Sequence, residues 1–257
     1  METAINSLKT FVLVFGLVLG GCQYKSPPDP NETPPGQEVS GELLLKNINE
    51  TMHLLDDRLA KGEIDKQSHD SLLKREVAKM LKPVDVPNIP PSQAWQFGDA
   101  FRLADDWKTA STLYAAAVKI AKTDDRFVND TLRLARAEAH LGDVAGAIKS
   151  CRSTFRVGPL DKAPILLAIL YEVVPEATGK GKDLELAKLL EDAIGQHELT
   201  IVDAKSEAGK AFLVARPAHV HNAWIRIARF YQAAGKDAEA RQAILKDEVS
   251  RLKRASI

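Results

Sequence analysis

The chain is short of several things, and each shortage excludes something. Cys22 and Cys151 are its only cysteines in 257 residues, too few for the disulfide framework of a small secreted domain. Lysine plus arginine total 35 and aspartate plus glutamate total 35, so the formal charge is zero. Such a balance gives no electrostatic footprint for nucleic acid and no basic surface that would hold a protein on anionic lipid. Long apolar runs are missing as well: the stretch from Phe11 to Gly21 covers 11 residues, whereas a spanning helix needs about 20. Beta-type alternation is nearly absent. Catalytic patterns are also wanting. Gly179-Lys-Gly-Lys182 lacks the Gly-x-x-x-x-Gly-Lys-Ser/Thr order of a phosphate loop. Asp56-Asp57 and Asp105-Asp106 are adjacent rather than facing, as solvated or capping residues are. His219 and His221 share a face only on an extended strand, and no third Cys or His lies near them, so no metal and no cofactor is expected.

What is present begins at the N-terminus. Lys9, an apolar run and two small residues precede a cysteine: Phe11-Val-Leu-Val-Phe-Gly-Leu-Val-Leu19, then Gly20-Gly21-Cys22. The run suits the core of a secretory signal. Leu19-Gly20-Gly21-Cys22 resembles the lipobox of bacterial lipoproteins. That resemblance implies cleavage of residues 1–21 and lipidation of Cys22 with acyl chains such as palmitate. In the sorting pattern of such lipoproteins, Asp after the Cys favours the inner membrane; Gln23 stands here, which implies the outer membrane, facing the periplasm. Residues 22–39 follow as a tether with five prolines between Gln23 and Gln37 and almost nothing to bury.

The body reads as all-α. Leu44, Ile48, Met52, Leu55 and Leu59 form an amphipathic stripe, Gly62 ends it, and Asp65 can cap a second helix running to about Leu81. Residues 40–82 are therefore expected to be a helical hairpin set apart by the Pro-rich linker 83–91. Beyond it, small residues recur 12 apart: Gly98 and Ala110, Ala135 and Ala147, Ala228 and Ala240. Similar neighbours return around them, with aromatics at Phe101, Trp107, Tyr114, Trp224 and Tyr231, turn glycines at Gly142 and Gly235, and Pro159 closing the second unit. The pattern resembles the tetratricopeptide repeat (TPR). It implies pairs of antiparallel helices that approach closely at the small residues, with Asp106, Asp143 and Asp237 as caps of the second helices. A third unit is irregular: Ala168 and Ala187 are 19 apart, with residues 176–182 filling the difference. Residues 195–217 are expected to be a long connection holding at most a short helix near 208–214. The whole is a TPR-like helical-repeat solenoid of about four repeats over 92–257.

Stacked helix pairs curve, and their first helices line the concave side. Residues one turn from the small packing positions should face that groove: Trp95, Asp99 and Arg102, Arg136 and His140, Glu172, and Asn222, Arg229 and Gln232. Arginine can grip carboxylates bidentately, and Trp95 can serve as an aromatic anchor. The expected function is that of a non-enzymatic, membrane-tethered adaptor that holds another envelope protein or peptide. The alternative is a homo-oligomeric envelope protein associating through the hairpin stripe. Cys151 falls on an apolar stripe and is expected to be a buried small hydrophobe.

Overall fold

In the computed structural model, residues 39–255 are described, with side chains to residue 249. The signal segment, the tether and Cys22 lie outside them. The described residues contain eleven α-helices and no strand.

Helix α1 (Gly41–Ala60) starts where the Ser40 hydroxyl accepts from the Leu43 amide, and α2 (Lys66–Leu81) where Asp65 accepts from the Ser68 amide at 2.7 Å. Gly62 makes the turn between them at φ 70, a left-handed backbone that glycine takes without penalty. Leu44, Ile48 and Leu55 are buried, and α1 and α2 both pack on α3 (Ala94–Leu103). The hairpin is thus the first layer of the solenoid and shares one core with α3 and α4 (Trp107–Ile120). The Pro-rich stretch between them is laid on that core through Val84, Val86 and Ile89. The Gln93 side chain also accepts from the Gly41 amide at 2.6 Å. Leu44, Ile48 and Leu55 of the stripe are therefore used inside the molecule, while Met52 and Leu59 stay partly exposed.

Four helix pairs follow. The first is α3 with α4. The second is α5 (Asp124–His140) with α6 (Val144–Ser153). In the third, α7 (Ala163–Ala168), a π turn (Ile169–Val173) and α8 (Val174–Ala177) run together and pair with α9 (Asp183–Glu198). The last is α10 (Glu207–Ala233) with α11 (Asp237–Ala255). The small residues sit at the contacts: Ala110, Ala135, Ala147 and Ala187 are fully buried. At Gly98 the neighbour is an aromatic ring, since an added Cβ would come within 2.6 Å of Tyr114. Asp106 and Asp143 cap α4 and α6, accepting from Thr109 and Gly146 amides at 3.1 and 2.8 Å. Asp237 does not cap α11; it is the first helical residue, where its carboxylate still faces the positive helix end. A second core runs from α5 to α11 and encloses Cys151. Burial pushes that thiol far above its usual range, so it is inert.

The connection expected over 195–217 is mostly helix. Ser206 accepts from the Gly209 amide and opens α10, which then runs through Pro217. Proline removes one amide donor in a helix interior. The carbonyl left without that donor belongs to Leu213, on the exposed side of the helix, where water can serve it.

Candidate protein-binding groove

The first helices of the four pairs are α3, α5, the α7–α8 run and α10, and their facing side chains form a ladder of cross-links. At the α3–α5 step, Asp99 accepts from the Tyr114 hydroxyl at 2.7 Å and from Arg133 Nε at 3.2 Å, with Arg102 Nε 3.9 Å away. Asp130, fully buried, takes Arg126 Nη2 at 2.9 Å and Arg133 Nη1 at 3.4 Å. Burial raises the Asp130 carboxyl above its ordinary value, against the pull of the two guanidiniums. The same arginines lie over the Trp95 ring, 4.8 and 4.9 Å from its centroid, a cation–π arrangement that fixes the indole.

At the next step Arg136 reaches Glu172 at 3.4 Å and Glu176 at 3.8 Å. His140 Nδ1 lies 2.8 Å from Glu176, and its ring stacks on Trp107 at 4.0 Å and 13°. Lys180 donates to the Ala139 and His140 carbonyls at 2.6 and 2.9 Å, closing the end of α5. Trp107 donates in turn to Asp105, which also accepts from Lys74 of the hairpin. These hydrogen bonds hold the Asp105 carboxyl below the usual range, Lys74 first and Trp107 second. Asp105 occupies the turn place that glycine fills in the other pairs, at φ 68, a conformation that Asp tolerates better than most residues.

At the last step Asn222 Nδ2 donates to the Tyr171 hydroxyl at 2.8 Å. Tyr171 and Glu172 are carried by the π turn and remain half exposed. That turn stands directly before Pro175, whose ring would collide with the Tyr171 carbonyl in a regular α turn. Arg229 and Gln232 are exposed on α10, without an ion pair among the described residues.

The nine residues expected in the groove are therefore distributed over all four first helices. Seven of them are tied into the cross-links: Trp95, Asp99, Arg102, Arg136, His140, Glu172 and Asn222. The expectation of free arginines is corrected for Arg136, whose charge is already met by Glu172 and Glu176, and for Arg102, beside Asp99. Residues that the sequence did not place in the groove complete the face: Arg126, Arg133, Tyr171, Glu176 and, at its rim, Trp107, with Asp130 buried beneath the arginines. Asp130 had a signal, since an aspartate beside Val128, Thr131 and Leu132 in mid-helix must be paired if it is buried.

His219 and His221 do not converge. His221 pairs with Asp247 at 2.7 Å, while His219 packs edge-on against His197 at 5.7 Å. No group of three or more metal-ligating side chains occurs among the described residues.

No protein-family model matches the chain, and neither does any curated protein. Among solved structures, it is similar to the nearly identical TPR-like repeats of a kinesin light chain candidate from Podosopora anserina. One such structure shares 19% identity at a TM-score of 0.44 and covers 82% of this chain and 97% of that one. A second shares 19% at 0.43 and covers 81% and 96%. The fold of the described residues is all-α, a stack of successive helix pairs.

Proposed function

We propose that this protein is a lipid-anchored adaptor of a bacterial cell envelope, non-enzymatic, with Cys22 carrying the lipid and the groove holding another envelope protein or peptide. One observation supports the binding reading above the others. The four first helices present a continuous polar and aromatic face whose side chains are already fixed by cross-links, so little rotamer entropy is lost on contact. At its centre Tyr171 and Glu172 stand out on a π turn, a device often found at functional positions. The ligand this favours is an extended segment with hydrogen-bonding backbone and mixed side chains, since Arg102, Arg126, Arg133 and Arg136 already have carboxylate partners. The anchor reading is supported by Leu19-Gly20-Gly21-Cys22 and the Pro-rich stretch after it, and it implies an outer-membrane position facing the periplasm.

Two measurements test the two halves separately. Labelled palmitate should enter the wild-type chain and not Cys22→Ser; equal labelling of both refutes the anchor. A photo-crosslinking residue placed at Tyr171 should capture one defined protein in native cells, while the same probe at exposed Lys149 does not. Equal capture, or none, from both positions refutes the groove.

A further inference from the structure

Helix α11 is the last helix among the described residues. Its inner side is buried on α10 through Ala240, Ala243 and Asp247. The Lys246 ammonium lies 5.0 Å over the Trp224 ring and 3.4 Å from Glu191. The outer side of a repeat helix on which no described residue packs would ordinarily be polar. This one has Ile244, Leu245 and Val249 exposed at 39%, 57% and 50%. They fall within a turn and a half, so they form one patch. Arg241 stands one turn before Leu245 and Glu248 just under one turn after, on the same face. Both are exposed, and neither makes an ion pair among the described residues.

We propose that this face binds a second copy of the chain, the two α11 helices lying antiparallel about a two-fold axis near Leu245. The order of residues along the face argues for a second copy. A two-fold axis reverses the helix direction, so a cation–apolar–anion sequence meets itself as anion–apolar–cation. Arg241 then stands opposite Glu248 of the partner subunit, twice by symmetry, with Leu245 and Ile244 packed in the middle. A parallel arrangement would set Arg241 against its own copy, and like charges would oppose it. Exposed ion pairs contribute little stability by themselves; the apolar centre supplies the attraction, and the charges set direction and register. One helix per subunit gives a small contact, so the dimer is a weak one. This contact uses neither the groove nor the N-terminal hairpin, whose Leu44, Ile48 and Leu55 are already buried.

The test is sedimentation of the full chain carrying Cys22→Ser, in mild detergent, over a concentration series. The wild-type face should give a concentration-dependent monomer–dimer equilibrium. Leu245→Glu should abolish it while leaving the helical circular dichroism intact. Arg241→Glu or Glu248→Arg alone should weaken association about tenfold or more. The double reversal, R241E with E248R, should return it to within about threefold of the original, each tenfold step corresponding to 1.4 kcal/mol. Leu245→Cys should form a disulfide-linked dimer on oxidation, and Lys149→Cys should not. A chain that stays monomeric throughout overturns the proposal, as does a dimer insensitive to Leu245→Glu. Failure of the double reversal to recover association overturns the antiparallel register.

Discussion

At the scale of single residues, the molecule's most exacting contacts join a small residue or a polar atom to one large neighbour. Gly98 and Tyr114 are such a pair: the ring occupies the space where a side chain at 98 would stand, and its hydroxyl reaches Asp99. Burial and the Asp99 carboxylate both push the Tyr114 phenol upward, so it stays a donor at any physiological pH. Gly98→Ala should therefore destabilise the fold by about 1–3 kcal/mol through overpacking. Tyr114→Phe, which keeps the ring, should cost about 1.5–3 kcal/mol by unpairing a partly buried carboxylate from its donor. Urea denaturation measures both, and an unchanged midpoint for either would show that the α3–α4 contact is looser than this geometry.

His197 makes a different case. It is fully buried beside Phe212 and His219, and neither ring nitrogen has a hydrogen-bond partner among the described residues. Burial, then the Arg216 charge and His219, bring its value down from 6.5 to about 4. The native state therefore holds the neutral ring, while the unfolded state takes up a proton below about pH 6.5. Between those values the unfolded chain binds more protons, so stability rises with pH there and falls on acidification. The full loss is about 3 kcal/mol by pH 4. His197→Phe should flatten the denaturation midpoint across this window; a midpoint as acid-sensitive as the wild type's would assign the dependence to other groups.

At the scale of elements, the chain announces its helices where caps, turn glycines and small-residue spacing agree, and it misleads where proline speaks alone. The pairs around Gly98 and Ala110, and around Ala135 and Ala147, form where the 12-residue spacing places them, because close helix crossing tolerates little else. Asp65, Asp106 and Asp143 cap as their sequence positions suggest. Pro217 suggests a helix start, yet α10 begins at Glu207 because Ser206 caps it and Gly209 lets the turn close on the Asp203 carbonyl. Local propensity yields there to the packing of Phe212 and His219 on His197. If Pro217 is only tolerated, Pro217→Ala should stabilise the protein by about 1–3 kcal/mol by restoring a helical hydrogen bond. A destabilised variant would instead show that a bend at 217 seats those rings. Gly209→Ala should act the other way, since its Cβ would strike the Asp203 backbone. The π turn had a trace in the sequence too: Pro175 lies inside an otherwise helical stretch, but proline alone does not distinguish a broken helix from a widened one.

At the scale of the whole molecule, the groove's membership was partly legible and its electrostatics were not. Helical periodicity told which side chains leave the first helices on one side, but partners such as Asp99 with Arg133 or Arg136 with Glu172 are 34 and 36 residues apart. Spacing along one helix carries no such information. The same limit applies to the hairpin. Its stripe and its boundary prolines read as a separate element, whereas Leu44, Ile48, Leu73 and Val77 lie in one core with Phe97, Phe101 and Tyr114. In a repeat stack each unit leans on its neighbour, and an end unit stripped of its cap exposes the face it was built to bury. Burying each large aliphatic side chain contributes about 1.5–3 kcal/mol, comparable with a large share of the net stability of a domain. Removing residues 39–82 should therefore not release a stable repeat domain. The remaining chain should bind a hydrophobic dye, lose cooperative thermal unfolding and aggregate through the uncovered face of α3. A truncated chain that stays monomeric and melts cooperatively at the full chain's temperature would show instead that the hairpin rests on the repeats without supporting them.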